Sequence, residues 1–143
     1  MRLSTKSEYA LLALLELTRH YATGEPLQIR QIAADQSIPD RYLEQLLAIL
    51  RRSGLVRSQR GAKGGYLLAR EPWNISLLEV LSCVEGLGSQ PPLPSTASSS
   101  SLVVHDVWQE AQAAADTVLK GYSLQDLAAQ REAKQQVDIM YYI

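Results

Sequence analysis

Glu44 and Gln45 stand in the middle of a segment, residues 40–53, whose polar residues recur at helical spacing. A carboxylate can accept a hydrogen bond from the amino group of cytosine, and a side-chain amide can pair with adenine. Arginine and tyrosine side chains can bind backbone phosphates and fix the register of a helix on DNA. The segment supplies four of these, Arg41, Tyr42, Arg51 and Arg52. The residue types therefore predict a helix that reads base edges in a major groove.

A glycine-rich stretch follows, between two runs at residues 55–60 and 66–70 that are typical of short β-strands. Its sequence, Gly61-Ala62-Lys63-Gly64-Gly65, predicts the tip of a hairpin. Arg60 and Lys63 on such a tip could enter a narrow minor groove, where the negative potential of DNA is concentrated. The alternative for both polar clusters is that they form only a solvated surface.

The elements that must position these groups are three helices and the hairpin, the helices predicted at about residues 5–22, 28–36 and 40–53. The third has an apolar stripe at positions i, i+3, i+4 and i+7, made of Leu43, Leu46, Leu47 and Leu50. This order predicts a mainly α fold with a small β-hairpin wing, a winged helix-turn-helix domain over residues 1–72. The pattern alone leaves open an unrelated helical domain with a surface hairpin.

The rest of the chain is predicted to contain a connecting helix in residues 73–86 and a flexible loop rich in Ser, Pro and Gly over residues 87–101. A long dimerisation helix is predicted over residues 102–122, followed by a C-terminal helix and tail over residues 123–143. The end of that tail, residues 137–143, is apolar and aromatic, so it is expected to dock on a surface that the sequence does not identify.

The long helix carries an apolar seam at alternating spacings of four and three residues. The seam consists of Val104, Trp108, Ala111, Ala115, Val118 and Tyr122. Such a stripe outside a compact first domain needs a partner surface, and a symmetric homodimer is the commonest solution. The alternative is that the seam packs back onto the first domain of its own chain.

Charge also divides the 143 residues into two halves. Residues 1–72 have a net charge of +4, from eleven Lys and Arg against seven Asp and Glu, and residues 73–143 have −5, from three against eight. A basic first half points weakly to nucleic acid as its partner. The chain has no apolar run long enough for a membrane span and no signal-peptide pattern, so we expect a cytoplasmic protein without a membrane partner.

Catalysis and metal binding have little support in the residue pattern. The glycine stretch lacks the order of a phosphate-binding P-loop, and His20 and His105 have no carboxylates at spacings typical of a metal site. The single cysteine, Cys83, excludes an internal disulfide framework. We therefore expect neither an enzyme nor a bound cofactor.

Several stretches taken together resemble the bacterial IscR/NsrR/CymR family of winged-helix transcription regulators, and the resemblance covers nearly the whole chain. The stretches are Met1 to Lys6, Tyr42 to Leu46, Leu50 to Val56, Arg60-Gly61, Gly64 to Leu68, Ile75 to Val80 and His105 to Trp108. The family implies a homodimer built on the long helix, with two domains on a palindromic DNA operator. It also implies that Glu44 reads bases, that Arg60 enters the minor groove beside Gly61, and that Tyr42, Arg2 and Lys6 lie near phosphates.

The sequence departs from this family in the loop before the long helix. Many members hold a [2Fe–2S] cluster there with three cysteines, whereas residues 86–104 contain none, and Leu102 stands in place of the last one. His105 and Glu8 match positions that ligate the cluster in some members, which makes them weak metal candidates. Thiolates supply most of the affinity for such clusters, so we expect a cluster-free regulator, acting as a repressor.

Two rival functions remain open at this point. The first is a winged-helix module that binds protein instead of DNA. The second is a regulator with an unusual metal or small-molecule effector site, the small molecule lying between the first domain and the long helix. The residues leave the effector itself unassigned.

Overall fold

The computed structural model describes residues 2–86 and 93–141, and within them it contains a winged helix-turn-helix followed by two long helices. The winged part consists of α1 (Thr5–Arg19), α2 (Ile29–Gln36), α3 (Asp40–Arg52), β1 (Val56–Gln59) and β2 (Gly65–Leu68). A 3₁₀ turn (Pro72–Asn74) and the helices α4 (Leu77–Glu85), α5 (Ser99–Lys120) and α6 (Leu124–Tyr141) follow. The predicted fold class, mainly α with a hairpin wing, is confirmed.

The leucine stripe of α3 forms the centre of the core. Leu43, Leu46, Leu47 and Leu50 are almost completely buried and pack in one cluster with apolar residues of α1 and α2. The same cluster extends beyond the wing to Ile75 and to Leu124 of α6. The start of α6 therefore shares the core of the winged part.

Helix ends account for most differences between predicted and observed bounds. The long helix begins at Ser99, three residues earlier than predicted, because the Ser98 hydroxyl accepts a hydrogen bond from the Ser101 N–H at 3.1 Å. The connecting helix begins at Leu77 after the 3₁₀ turn, since Ser76 caps it in the same way. Of the predicted loop over residues 87–101, residues 87–92 lie outside the described part of the chain.

The wing is an antiparallel hairpin in which Val56 pairs with Leu68 and Gln59 with Gly65. Leu27 adds a third pairing that the sequence analysis missed, since its N–H and C=O bond with Tyr66 at 3.0 and 2.8 Å. A Cβ atom on Gly65 would lie 2.4 Å from the Leu27 carbonyl oxygen. Only glycine fits there, so this close approach anchors the wing to the segment between α1 and α2.

A buried acidic residue, Glu16 of α1, connects three helices. It is 1% exposed, and its Oε1 accepts a hydrogen bond from Gln36 Nε2 at 2.6 Å. Arg131 of α6 lies 3.9 Å from the same oxygen, and Arg19 lies 3.7 Å from it. Burial lowers the pKa of Arg131, with a further contribution from nearby Arg19. Through this one carboxylate oxygen, Glu16 links α1 to α2 and α6.

The described residues of the apolar tail are not covered by their own chain. Val137, Ile139 and Met140 of α6 are 60–76% exposed, and residues 142–143 lie outside the described part. Of the helices within residues 2–86 and 93–141, none combines the length and the apolar content that crossing a membrane requires.

Candidate nucleic-acid interface

The face of α3 opposite the leucine stripe is polar and exposed. Arg41, Glu44 and Gln45 all lie on it, while the leucines one or two positions away are buried. The helix follows the turn at Ser37, whose left-handed backbone (φ 55°) ends α2. Burial of one face thus leaves the polar groups of the other face directed to solvent, as a recognition helix requires.

Tyr42 and Lys6 lie together at the junction of α1 and α3. The Tyr42 ring packs edge-on against Tyr9 of α1, with ring centroids 5.5 Å apart. Lys6, Tyr42 and Gln45 line one hollow of about 260 Å³, with Leu46 and Ile49 completing it. The contact of Tyr9 with Tyr42 was not predicted from the sequence. The position of Tyr9, three residues after Lys6, does place both residues on one face of α1.

The wing tip presents its basic groups on a defined turn. Arg60, Gly61 and Lys63 are exposed, and the turn is closed by the Gly64 N–H donating to the Gly61 carbonyl at 3.0 Å. A Cβ atom on Gly64 would lie 2.1 Å from the Gln59 carbonyl oxygen, so the tip has this shape only with glycine. Arg60 and Lys63 are therefore held on a compact projection that a minor groove could admit.

The predicted phosphate-binding residues do not form one cluster. Arg51 and Arg52 lie at the end of α3, whereas Arg2 lines a different cavity beside α4 and α5. Within the described ranges, the ion pairs are formed by Arg19, Arg70 and Arg131. None of the basic residues predicted to contact DNA takes part in them. Those cations are exposed, apart from the half-buried Lys6, and remain available to phosphates.

The weak metal candidates are not assembled into a site. Glu8 is exposed on α1, His105 is exposed on α5, and Cys83 is half-buried on α4, where it packs against the core. No three His, Cys, Asp or Glu residues of the described part come together to hold a metal ion. With one thiol in the chain, these residues do not fit a three-cysteine [2Fe–2S] cluster.

The predicted seam lies on the surface of this chain. Val104, Trp108, Val118 and Tyr122 are 43–67% exposed, and α5 has no buried residue among those described. Its neighbours Leu102, Val103 and Val107 are also exposed, which creates an apolar patch on the first turns of α5. The alternative that the seam packs back onto its own first domain is wrong for these residues; only Ala115 is half-buried.

Comparisons with known proteins agree with this arrangement. The sequence profile of the Rrf2 family, described as an iron-dependent transcriptional regulator, matches residues 3–130. The helix-turn-helix (HTH)-type transcriptional regulator CymR of Bacillus subtilis is 34% identical over 144 aligned residues that cover all of both chains. The structure of T. potens IscR has a TM-score of 0.78 at 34% identity, covering 94% of this chain and 91% of that one.

A second solved structure, that of CymR (YrzC), the global cysteine regulator of B. subtilis, has a TM-score of 0.78 at 33% identity. It covers 91% of this chain and 98% of that one. Since both solved neighbours and the family profile extend over nearly all of the chain, the resemblance seen in the sequence is confirmed. The chain belongs to the Rrf2 family of HTH-type, DNA-binding transcriptional regulators, and it is not an enzyme.

Proposed function

We propose that this protein is a homodimeric repressor that binds a palindromic operator in duplex DNA. The observation that carries the proposal is the pairing of an exposed base-reading face on α3 with an exposed basic wing tip. A repressor of this kind acts by occupying DNA, and these two surfaces of each subunit make the contact with DNA. We place it in the cytoplasm together with its DNA.

Within each subunit, α3 enters the major groove and the wing enters the adjacent minor groove. Glu44 and Gln45 read base edges, and Arg60 reaches into the minor groove beside Gly61 with Lys63 close to it. Arg41, Tyr42 and Lys6 bind phosphates around α3, and Arg51 and Arg2 bind phosphates at the edges of the contact. The edge-to-face contact of Tyr42 with Tyr9 supports this placement, since it holds the phenol in one orientation.

The dimer forms through the seam of α5, from Val104 to Tyr122. The exposed apolar patch supports this, because monomeric proteins rarely expose contiguous apolar surface of this kind. The seam contains no charged residue, so a second copy can pack on it without burying a charge. Two linked domains then bind two half-sites with a high effective concentration.

The regulator also works without a three-cysteine cluster. The residues available as metal ligands support this, since residues 86–104 contain no cysteine. His105 and Glu8 could each offer one nitrogen or oxygen ligand, and both are exposed on separate helices. Iron and acid-labile sulfide in anaerobically purified protein should stay far below one cluster per subunit. Near-stoichiometric iron and sulfide that disappear in His105→Ala would overturn this part of the proposal.

Selection of bound sequences from a random DNA pool tests the function directly. We expect a palindromic consensus, and an affinity that falls steeply with salt because phosphate contacts release counterions. Arg60→Ala should weaken binding and flatten the salt dependence, whereas Lys134→Ala, which removes one positive charge from α6, should not. A module that binds protein instead would select no consensus and show no steep salt dependence.

A further inference from the structure

A cavity of about 420 Å³ lies where the start of α1, the end of α4 and the second half of α5 meet. Its volume falls within the range of roughly 300–1,000 Å³ that is typical of small-molecule sites. The polar groups on its wall come from the residues just before α1 and from the three helices. They are Arg2, Ser4, Ser7, Glu85, Gln112 and Asp116. Leu81 and Leu119 line an apolar part of the same cavity.

The carboxylate of Glu85 is held in a fixed orientation in this wall. The hydroxyls of Ser4 and Ser7 both donate to its Oε1, the Ser7 bond at 2.6 Å, and Ser7 is 1% exposed. These bonds, first that of Ser4 and then that of Ser7, lower the pKa of Glu85, so it is anionic at neutral pH. Its second oxygen, Oε2, takes no part in these bonds and can accept from a ligand.

Helix α5 contributes a second carboxylate and apolar surface in one row. Gln112, Asp116 and Leu119 follow one another at spacings of four and three residues, so they share the face of α5 directed towards α1 and α4. All three side chains are half-buried. The cavity therefore combines two anionic groups and one cationic group with an aliphatic surface.

We propose that this cavity binds a small zwitterion of the α-amino acid type with an aliphatic side chain. The ammonium group bonds to Asp116 and Glu85, the carboxylate bonds to Arg2, and the side chain packs on Leu81 and Leu119. A lone anion would be opposed by the two carboxylates. A metal ion is disfavoured because no three His, Cys, Asp or Glu side chains in the described part of the chain lie close enough together to hold one.

The site also gives the ligand a route to the DNA, an argument that rests on the proposed function. Arg2 is one of the residues that bind phosphate in that proposal, and a ligand carboxylate would compete for its guanidinium group. Binding of the zwitterion should therefore weaken DNA binding, and DNA should weaken zwitterion binding by the same factor. The cavity would thus serve as the effector site of the regulator.

Calorimetric titration of the full-length protein without DNA tests the site independently of DNA binding. L-leucine and L-methionine are the probes, and at least one of them should bind. Isoamylamine lacks the carboxylate and 4-methylpentanoate lacks the ammonium group, so each should bind at least about tenfold more weakly than leucine. Binding of neither amino acid, or equal affinity for leucine and isoamylamine, would overturn the proposal.

A pair of matched variants on α5 locates the binding. Asp116→Asn should weaken binding at least about tenfold, whereas Asp106→Asn, on an exposed position of the same helix outside the cavity, should leave it unchanged. Circular dichroism checks that both variants keep their helices. Undiminished leucine binding by Asp116→Asn would contradict the site. Leucine binding by a protein that binds no DNA would support the site and refute the proposed function instead.

Discussion

The winged part and α5 bury their apolar residues in opposite ways. The stripe of α3 is at most 1% exposed, whereas apolar side chains of α5 such as Val104 and Trp108 are more than half exposed. Both helices are amphipathic in sequence and both carry leucine, valine or alanine at helical spacing. An apolar stripe on a helix thus predicts that this face of the helix is buried. Whether it is buried within the same chain or against a second one depends on the fold.

The chain thus has two different exposed surfaces, a polar face on α3 and an apolar face on α5. The polar face of α3 has the core directly beneath it, since the leucines on the opposite side of the helix pack there. Among the described residues, the seam of α5 has only the half-buried Ala115, and Leu119, which packs against the core, lies outside the seam. The stability of α5 should therefore depend on assembly more than that of α3 does.

The largest expected effect comes from deleting core volume in α3. Leu50→Ala should lower the free energy of unfolding by about 2–5 kcal/mol, because it leaves a cavity at a fully buried position. Val118→Ala, at a 58% exposed position of α5, should cost less than about 0.5 kcal/mol in protein dilute enough to dissociate the proposed dimer. Chemical denaturation at several protein concentrations measures both.

The concentration series is the control for that comparison. The loss in Leu50→Ala should not depend on protein concentration, whereas the loss in Val118→Ala should grow as the dimer forms. If Val118→Ala cost as much as Leu50→Ala in dilute protein, α5 would be packed on its own chain and the contrast between the two regions would fail.

A charge placed in the seam tests the partner surface. Trp108→Glu should weaken the dimer at least about a hundredfold, or about 2.7 kcal/mol, because the interface would bury an unpaired carboxylate. Gln109→Glu adds the same charge at the next position, outside the seam, and should leave the dimer intact. Sedimentation equilibrium distinguishes the two. An intact dimer in Trp108→Glu would place the interface elsewhere on the protein.

Sequence could predict the parts of the fold whose pattern is local. The stripe of α3, the glycine tip of the wing and the Ser123–Asp126 start of α6 all follow from neighbouring residues, and the last is a reciprocal cap with bonds of 2.9 and 3.1 Å. The Glu16–Arg131 pair and the Leu27–Tyr66 pairing join residues far apart in the chain. No local pattern specifies such contacts, although Glu16 on an apolar helix face is a hint of burial.

The same distinction between local patterns and long-range packing applies to the candidate site. The polar face of α3 and the wing tip could be predicted, since helical spacing and glycine turns place their side chains directly. The separation of Arg2 from the other basic residues could not, because it depends on how the start of α1 packs against α4 and α5. The cavity at that junction follows from packing of three helices and is likewise invisible in the sequence.

A smaller effect is expected at the base-reading face. Glu44→Ala should lose about 1–3 kcal/mol of discrimination at one base position in each half-site, with little change in stability because the side chain is exposed. Affinities for single-base variants of the selected operator measure this. Glu132→Ala on α6 is the matched control and should keep the full specificity. An unchanged profile for Glu44→Ala would contradict the placement of α3 in the major groove.

The smallest effect is expected at the contact that links the start of α1 to the end of α4. Ser4 and then Ser7 lower the pKa of Glu85 in the folded protein, so folding favours the carboxylate. That stabilisation is present above the unfolded pKa, about 4.3, and is lost as the pH falls through the folded pKa. Unfolding free energies from about pH 6 to pH 3 should show the advantage of wild type over Glu85→Gln shrinking as the pH falls. Glu110→Gln, on the exposed side of α5, should differ from wild type by a nearly constant amount. A constant difference for Glu85→Gln as well would mean that the serines do not hold this carboxylate in the folded protein.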